Sequence, residues 1–397
     1  MSRSALSDVR VIDCTHVIAG AYCSMLLADL GADVIKVEPI TGENNRINNP
    51  TSNFRPFELA NRNKRGIAVD IQRPEGVGVL RRLARTADVF VENFRPGVFD
   101  RLGLGYEDLR AENPSLIYCS ISGFGHSGPY RERGAFDLVA QAMSGIMSFT
   151  GEIGGTRPVA AGVPMSDIAA GCFGALGILA ALNHRRATGE GQKVESSLLE
   201  SALGFAVWET GLYLATGEVA VPRGSRHRLA APYEALKTAD GYIAVGVTSQ
   251  RLWKRFCQAL TVPDLETDPR FATPTERIAN RDQLQERIEA ILARGPTAHW
   301  EELLLAQGVP CGPVNTIAQA VNDPQIVARG LLAEVEGRRF TRAPVMLSET
   351  PVAVRTGAAS VGQHTREVLA DAGFADQEIK DLAACGAVGL GSPPQAS

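Results

Sequence analysis

The chain has 397 residues, 45% of them hydrophobic and 21% charged, and a formal net charge of −4. This is ordinary globular composition, of a size that usually divides into two domains and buries roughly three quarters of its extended surface. There is no global positive field to gather nucleic acid, although local basic groups still suit a small anion. The seven cysteines include no CxxC pair and several sit in apolar runs, so they read as buried thiols of a reducing compartment. The six histidines are scattered and point to no metal site. The N-terminus lacks an apolar signal core. The longest apolar stretch, residues 168–182, is short for a membrane span and carries Gly171, Gly174 and Gly177. A soluble, cytoplasmic protein is expected.

Residues 9–12 read as a strand, 19–30 as a helix stopped by Gly31, and 33–38 as a second strand. A strand, a helix and a strand in this order open a parallel sheet. The turn after the first strand, Asp13-Cys-Thr-His-Val-Ile-Ala-Gly20, holds no GxGxxG, so the dinucleotide fingerprint is absent. The helix N-terminus that follows still suits a phosphate. Residues 39–62 form a long polar loop, of a kind that is often functional. Strand 67–70, helix 74–87 and strand 88–92 follow. Asn93, Phe94 and Arg101 stand beyond the carboxyl end of that strand, where open α/β sheets collect ligands. Strand 116–121 runs into a Gly-rich turn at 123–129 with His126, and 136–147 reads as an amphipathic helix carrying Asp137 near its start.

Pro164-Met-Ser-Asp167 then precedes an Ala-, Gly- and Leu-rich run that ends in His184-Arg-Arg186 and Gly189. This is a helix with its start and stop signals written out, its first turn capped by Ser166 or Asp167. Strand 193–195 and helix 198–216 come next. Composition shifts at Gly217, where a loop to residue 232 contains Arg223-Gly-Ser-Arg-His-Arg228. A smaller α+β unit follows, with strand 241–245 and helices near 249–259, 278–294 and 297–307. From about residue 326 the chain has strand-like pieces at 331–336 and 351–355, helices at 365–372 and 376–384, and a Gly/Pro/Ser-rich tail from 386 that reads as frayed. The expected organisation is residues 1–216 as the first part of a large domain, 217–325 as a small domain and 326–397 as a return to the large one.

By residue chemistry alone, each polar candidate has two readings. Asp167 is a helix cap, or a carboxylate kept ionised by the positive helix end for attack on an acyl carbon. His16 is a hydrogen-bonded structural histidine or a ligand contact. Lys64 and Arg65 are a solvated pair or an anion site, and Arg101 pairs with a carboxylate such as Glu107 or with a ligand. His126 reads as exposed. Arg226 and Arg228 are solvated or hold a substrate carboxylate. There is no GxSxG elbow, P-loop or HExxH, which leaves nucleophilic serine, ATP use and zinc hydrolysis without support.

Taken together, a series of blocks resembles the family III CoA-transferases. They are Asp13 to Gly20, Leu30-Gly-Ala-Asp-Val-Ile-Lys-Val-Glu38, Asn61-Arg-Asn-Lys-Arg65, Val91-Glu-Asn-Phe-Arg-Pro-Gly97 and Ser166-Asp-Ile-Ala-Ala-Gly171. Gly189-Glu-Gly-Gln-Lys-Val194, Pro232-Tyr233, Asp240-Gly241, Gly308-Val-Pro-Cys-Gly-Pro-Val314 and Gly362-Gln-His-Thr365 continue the series. The resemblance implies an α/β fold with a Rossmann-like large domain built from both chain ends and a smaller α+β domain from the middle, in an interlocked homodimer. It places CoA near His16, Val17 and Ala19, with Lys64, Asn93, Phe94 and Arg101 in matching positions, and it makes Asp167 the catalytic nucleophile. No permanently bound cofactor is implied, since a CoA thioester is itself a substrate. The expected partners are an acyl-CoA, a carboxylic acid and a second copy of the chain, with no nucleic acid and no membrane.

Departures narrow the expectation. Pro39 stands where formyl-CoA transferase has a basic residue, and residues 222–232 contain a single glycine where that enzyme has a glycine run, so oxalate specificity is unsupported. The segment Arg226-His-Arg-Leu-Ala-Ala-Pro-Tyr233 looks like that of transferases using succinyl-CoA and C4–C6 dicarboxylates, with Arg226 and Arg228 meeting the far carboxylate. The α-methylacyl-CoA racemases of the family use a histidine where this chain has Phe136, so a racemase would lack one base. CoA transfer from succinyl-CoA to a dicarboxylate is the leading expectation. Racemisation, formyl-CoA:oxalate transfer and a non-enzymatic CoA-binding role are the alternatives.

Overall fold

A computed structural model describes residues 4–46 and 56–391. The chain forms two compact units, one of residues 1–148, 160–220 and 329–397, the other of residues 149–159 and 221–328. The larger unit contributes strands β1 (Arg10–Asp13), β2 (Asp33–Glu38), β3 (Lys64–Val69), β4 (Val89–Glu92), β5 (Ile117–Ser122) and β6 (Lys193–Ser197). The smaller unit contributes β7 (Tyr233–Lys237), β8 (Tyr242–Gly246) and β9 (Cys311–Pro313). The chain then returns to the larger unit with the hairpin β10 (Leu332–Val335) and β11 (Arg338–Thr341) and a short strand, β12 (Val388–Gly389).

The main sheet has the order β12-β3-β2-β1-β4-β5-β6. β1 to β6 pair in parallel, and β12 lies antiparallel on β3. The winding reverses between β1 and β4, which makes the carboxyl ends of these two strands the switch-point crevice. Successive residues feed opposite faces of the sheet. Val11, Val34 and Val89 enter one core while Ile12, Ile35 and Phe90 enter the other. Helices cover both faces, so the strands carry apolar residues on both sides rather than on one.

Several local expectations change. β3 starts at Lys64, because a buried polar brace takes the lysine inside the sheet. The predicted 136–147 helix is two, Asp137–Met143 and Ile146–Phe149, divided at Gly145 with φ of 87°. The predicted 198–216 helix is likewise Leu198–Phe205 and Val207–Thr216. Helix Pro56–Asn61 lies inside the predicted polar loop, whose residues 47–55 fall outside the described residues. The tail is ordered as far as β12, since Val388 pairs with Val69 and is buried. Residues 392–397 fall outside the described residues.

The helix Met165–Thr188 is 24 residues long, and by length and composition alone it is able to cross a bilayer. It packs instead within the larger unit. A Cβ on Gly171 would lie 2.7 Å from the Ala19 carbonyl oxygen, and one on Gly174 would lie 2.9 Å from Ile121. The small residues of this helix therefore admit the helix Ala19–Asp29 and the sheet. In the smaller unit, β7, β8 and β9 form an antiparallel sheet over a core that includes Trp253, Phe256, Leu284 and Ile288. Residues 149–159 group with this unit, the Gly224 N–H donating to the Gly151 carbonyl at 2.9 Å.

Candidate active site

β1 ends in the buried carboxylate of Asp13. It accepts the Thr15 N–H at 2.9 Å, the Thr15 hydroxyl at 2.6 Å, the Ser24 hydroxyl at 2.6 Å and Lys64 Nζ at 2.8 Å. Burial alone would push its pKa up, but Lys64 and Lys36 hold it well below the usual carboxylate range. Lys64 also donates to the Ala21 carbonyl at 2.9 Å and to Asn61 Oδ1 at 2.8 Å. An ammonium has three donors, and all three are used. Burial pushes the Lys64 pKa down to about 8. Lys64, expected beside CoA, is instead an internal brace for the turn that follows β1.

That turn meets β4 at the switch point. The His16 N–H donates to Asn93 Oδ1 at 2.7 Å, and Asn93 Nδ2 donates to the His16 carbonyl at 2.8 Å. This reciprocal pair stabilises Val17 at φ 62°, a left-handed conformation that costs a β-branched residue about 1–3 kcal/mol. The Phe94 ring meets the His16 ring edge-on at 4.6 Å. Behind the imidazole, Glu43 Oε1 lies 3.6 Å from His16 Nδ1 and is ion-paired with Lys36, which also donates to the Thr15 carbonyl. Gly20 lets the first turn of the helix Ala19–Asp29 close on this loop, since a Cβ there would lie 2.5 Å from Thr15 Cγ2. No side chain caps that helix.

Two cavities share Phe94. One, of about 380 Å³, is lined by His16, Val37, Ile40 and Ile71 together with the carboxylates of Glu38 and Asp70. The other, of about 310 Å³, is lined by Asn93, Arg95, Ser122, Arg133 and Phe136. Arg101 is exposed, and its side chain makes no hydrogen bond or ion pair to another described residue. Glu107, a possible partner by sequence, is 4.0 Å from Arg110 instead.

Asp167 is the third residue of the helix Met165–Thr188, one turn before Gly171 and so on the face that packs against Ala19. Neither Ser166 nor Asp167 caps this helix. The Ser166 N–H donates to Asp137 Oδ1 at 2.8 Å, and Asp137 Oδ2 accepts Gln141 Nε2 at 2.7 Å. Gln141 Oε1 in turn accepts the Ala161 N–H at 2.9 Å. The helix start is thus held from a neighbouring helix, and the Asp167 carboxylate is left without a partner among the described residues. Burial, and then the charge of Asp137, push its pKa up to about 6. The sequence reading credited the helix end with keeping this group ionised, whereas its surroundings favour the proton. It is still a carboxylate at neutral pH.

Arg226 and Arg228 lie in the smaller unit. The Arg226 guanidinium donates to Glu234 at 3.1 Å, to Asp282 at 2.7 Å and to Gln285. It is spent on holding its own loop. The sequence reading named Asp137 without this role and missed Gln141; their signal was an acid at a helix start and an amide one turn later. It also missed the Lys36–Glu43 pair, for which a lysine inside an apolar strand was the signal.

The profile of CoA-transferase family III matches residues 6–365. The succinate–glutarate CoA-transferase of Agrobacterium fabrum is 38% identical over 386 residues, 92% of this chain and 95% of that protein. The succinyl-CoA:glutarate CoA-transferase of Mus musculus is 37% identical over 377 residues, 93% of this chain and 86% of that protein. A crystal structure of a CAIB/BAIF family protein from Brucella suis superposes with a TM-score of 0.85 at 35% identity, covering 93% of this chain and 100% of that one. The chain belongs to the family III CoA-transferases and is a CoA-transferase.

Proposed function

We propose that this enzyme moves CoA from succinyl-CoA to a C4–C6 dicarboxylic acid through a covalent intermediate on Asp167. The observation that carries this reading is the position of Asp167. It is a half-buried carboxylate without a partner among the described residues, one turn from the contact with Ala19, whose helix directly follows the bracketed His16 loop. The relatives named for succinate and glutarate, a C4 and a C5 diacid, support the substrate class.

In this reading CoA lies along the switch point. The apolar cavity takes the nucleoside end, with Asp70 of its lining accepting from hydroxyl or amino groups, since both Glu38 oxygens are paired with Arg46. Exposed Arg101, with Arg95 and Arg133 beside the second cavity, meets phosphate oxygens. An Asp167 oxygen attacks the succinyl thioester carbon and expels CoA thiolate, leaving a mixed anhydride. The thiolate attacks the aspartyl carbonyl carbon, forming an aspartyl-CoA thioester and releasing succinate. The acceptor carboxylate attacks that thioester to give a second mixed anhydride and thiolate. The thiolate takes the acceptor acyl group and frees Asp167. The uncapped first-turn amides of the helix Ala19–Asp29 stabilise the oxyanions. Met165 and Ser166 donate their own N–H groups to Val163 and Asp137 and are not available for this.

A cytoplasmic, interlocked homodimer completes the proposal. None of the residues in the helix Val207–Thr216 is buried, and Trp208 and Leu214 are 65% and 77% exposed. Phe173, Leu176 and Leu203 are exposed on neighbouring helices. A soluble monomer rarely shows so large an apolar surface, and a second copy of the chain is its natural cover.

Incubation with succinyl-CoA and a series of diacids from oxalate to adipate, with chromatographic separation of the CoA esters, tests the reaction. New esters of C4–C6 acids are expected, together with an aspartyl adduct at Asp167 that hydroxylamine cleaves. Asp167→Ala should give neither. Undiminished transfer by that variant would remove Asp167 from its role. Deuterium entry at the α-carbon without transfer would favour the racemase alternative.

A further inference from the structure

Below the Asn93–Phe94 turn lies a polar chain that the transfer mechanism does not use. Glu92, at the end of β4, is the register partner of Ser120 on β5, and both are buried. As register partners they present their side chains on one face of the sheet, and Ser120 acts to lower the Glu92 pKa. Ser120 Oγ lies 2.6 Å from His126 Nε2, which brings in the Gly-rich turn after β5. At its other end Glu92 Oε2 accepts the Phe94 N–H at 2.8 Å. Phe94 lines both cavities and touches His16, and Asn93 brackets the His16 peptide.

We propose that Glu92, Ser120 and His126 form a hydrogen-bonded relay that fixes the Asn93–Phe94 turn, making Glu92 a positioning residue for acyl-CoA. The inference rests on the reading that this turn holds CoA.

The relay has two arrangements, set by donor and acceptor counting. With Glu92 protonated, its O–H donates to Ser120, whose hydroxyl donates to an unprotonated His126 Nε2. With Glu92 ionised, Ser120 donates to the carboxylate, and His126 Nε2 must carry the proton and donate to Ser120. Ionisation of one end therefore selects the tautomer at the other. Burial pushes the Glu92 pKa up to about 7, so both arrangements are populated near neutral pH. Burial, and then Lys193, hold the His126 pKa below its usual value, so the imidazole is neutral there.

The other groups facing the relay are Asp100, Cys14, Tyr118 and Lys193, which act on Glu92, and Glu195, whose charge acts on His126. Ionised Glu92 adds a buried negative charge beneath a polyanionic ligand. Acyl-CoA binds better to the protonated form, and by linkage its binding holds the proton on.

The test is the pH dependence of KM for succinyl-CoA. In the native enzyme KM should rise about fivefold as pH passes upward through 7, an ordinary size for coupled binding. The rise should be absent in Glu92→Gln, whose amide still accepts the Phe94 N–H. The acid limb of kcat, which belongs to Asp167, serves as the internal reference. Ser120→Ala removes a hydrogen bond that lowers the Glu92 pKa, so in that variant the KM rise should move to higher pH. This second variant keeps the test open if Glu92→Gln does not fold. An unchanged KM profile in either folded variant overturns the relay. An unchanged KM in Phe94→Ala would instead overturn the reading that CoA contacts this turn, so the two failures are distinguishable.

Discussion

Replacing Lys64 by methionine separates a brace from a ligand contact. The methionine keeps much of the stem volume and removes the ammonium. Three charge-assisted hydrogen bonds are lost, to Asp13, Ala21 and Asn61. Removing one partner of a buried pair costs about 3–5 kcal/mol, mostly because the other charge is left uncompensated. Asp13 keeps the Thr15 and Ser24 donors and the charge of Lys36. That places the loss at the lower end, about 3 kcal/mol. Urea unfolding followed by circular dichroism should show the midpoint fall. Adding Asp13→Asn should recover about 1–2 kcal/mol of the loss, since an amide needs no counter-charge. A midpoint equal to that of the native protein, with a raised KM for succinyl-CoA, would refute the brace and restore Lys64 as a CoA contact.

In the proposed mechanism only the Asp167 carboxylate attacks, so its pKa of about 6 should make kcat fall as pH drops through that value. Asp137→Asn removes the neighbouring negative charge while its amide oxygen still accepts the Ser166 N–H. The acid limb should therefore move to lower pH, and a limb that stays in place would exclude the coupling. Gly171→Ala should cost about 1–3 kcal/mol by thermal unfolding, because its Cβ would overpack the helix Ala19–Asp29. Leu214→Glu should shift the enzyme toward monomer in light scattering, and an unchanged mass would count against the dimer face. Arg226→Met should speed proteolysis within residues 223–232, because its guanidinium holds that loop to Glu234 and Asp282. Cleavage at the native rate would count against that anchoring role.

Much of the large sheet is legible in the chain. Apolar runs at β1, β2, β4 and β5 and the helices between them announce a parallel sheet, because a strand covered on both faces has no polar side to hide. The helix beginning near Asp167 is equally plain, since its proline start and Gly189 stop are local signals. The breaks at Gly145 and Ala206 were not legible, because one small residue inside an apolar helical pattern leaves its period intact, and strand β7 depends on pairing with β8.

At the candidate site, the sequence by itself supplied the candidate residues. The motif blocks single out His16, Asn93, Phe94 and Asp167, and the parallel sheet requires the residues after β1 and β4 to stand at one edge. Only the tertiary structure decided what each is free to do. Lys64 and Arg226 carry the same charge as Arg101, but partners brought in by the fold engage them, while Arg101 meets none among the described residues. Asp167 has no partner among the described residues, and Asp137 holds its helix start from another element. Hydrogen-bond capacity is finite and is shared in space rather than along the chain. The residue types are therefore written in the sequence, and their availability is settled by the fold.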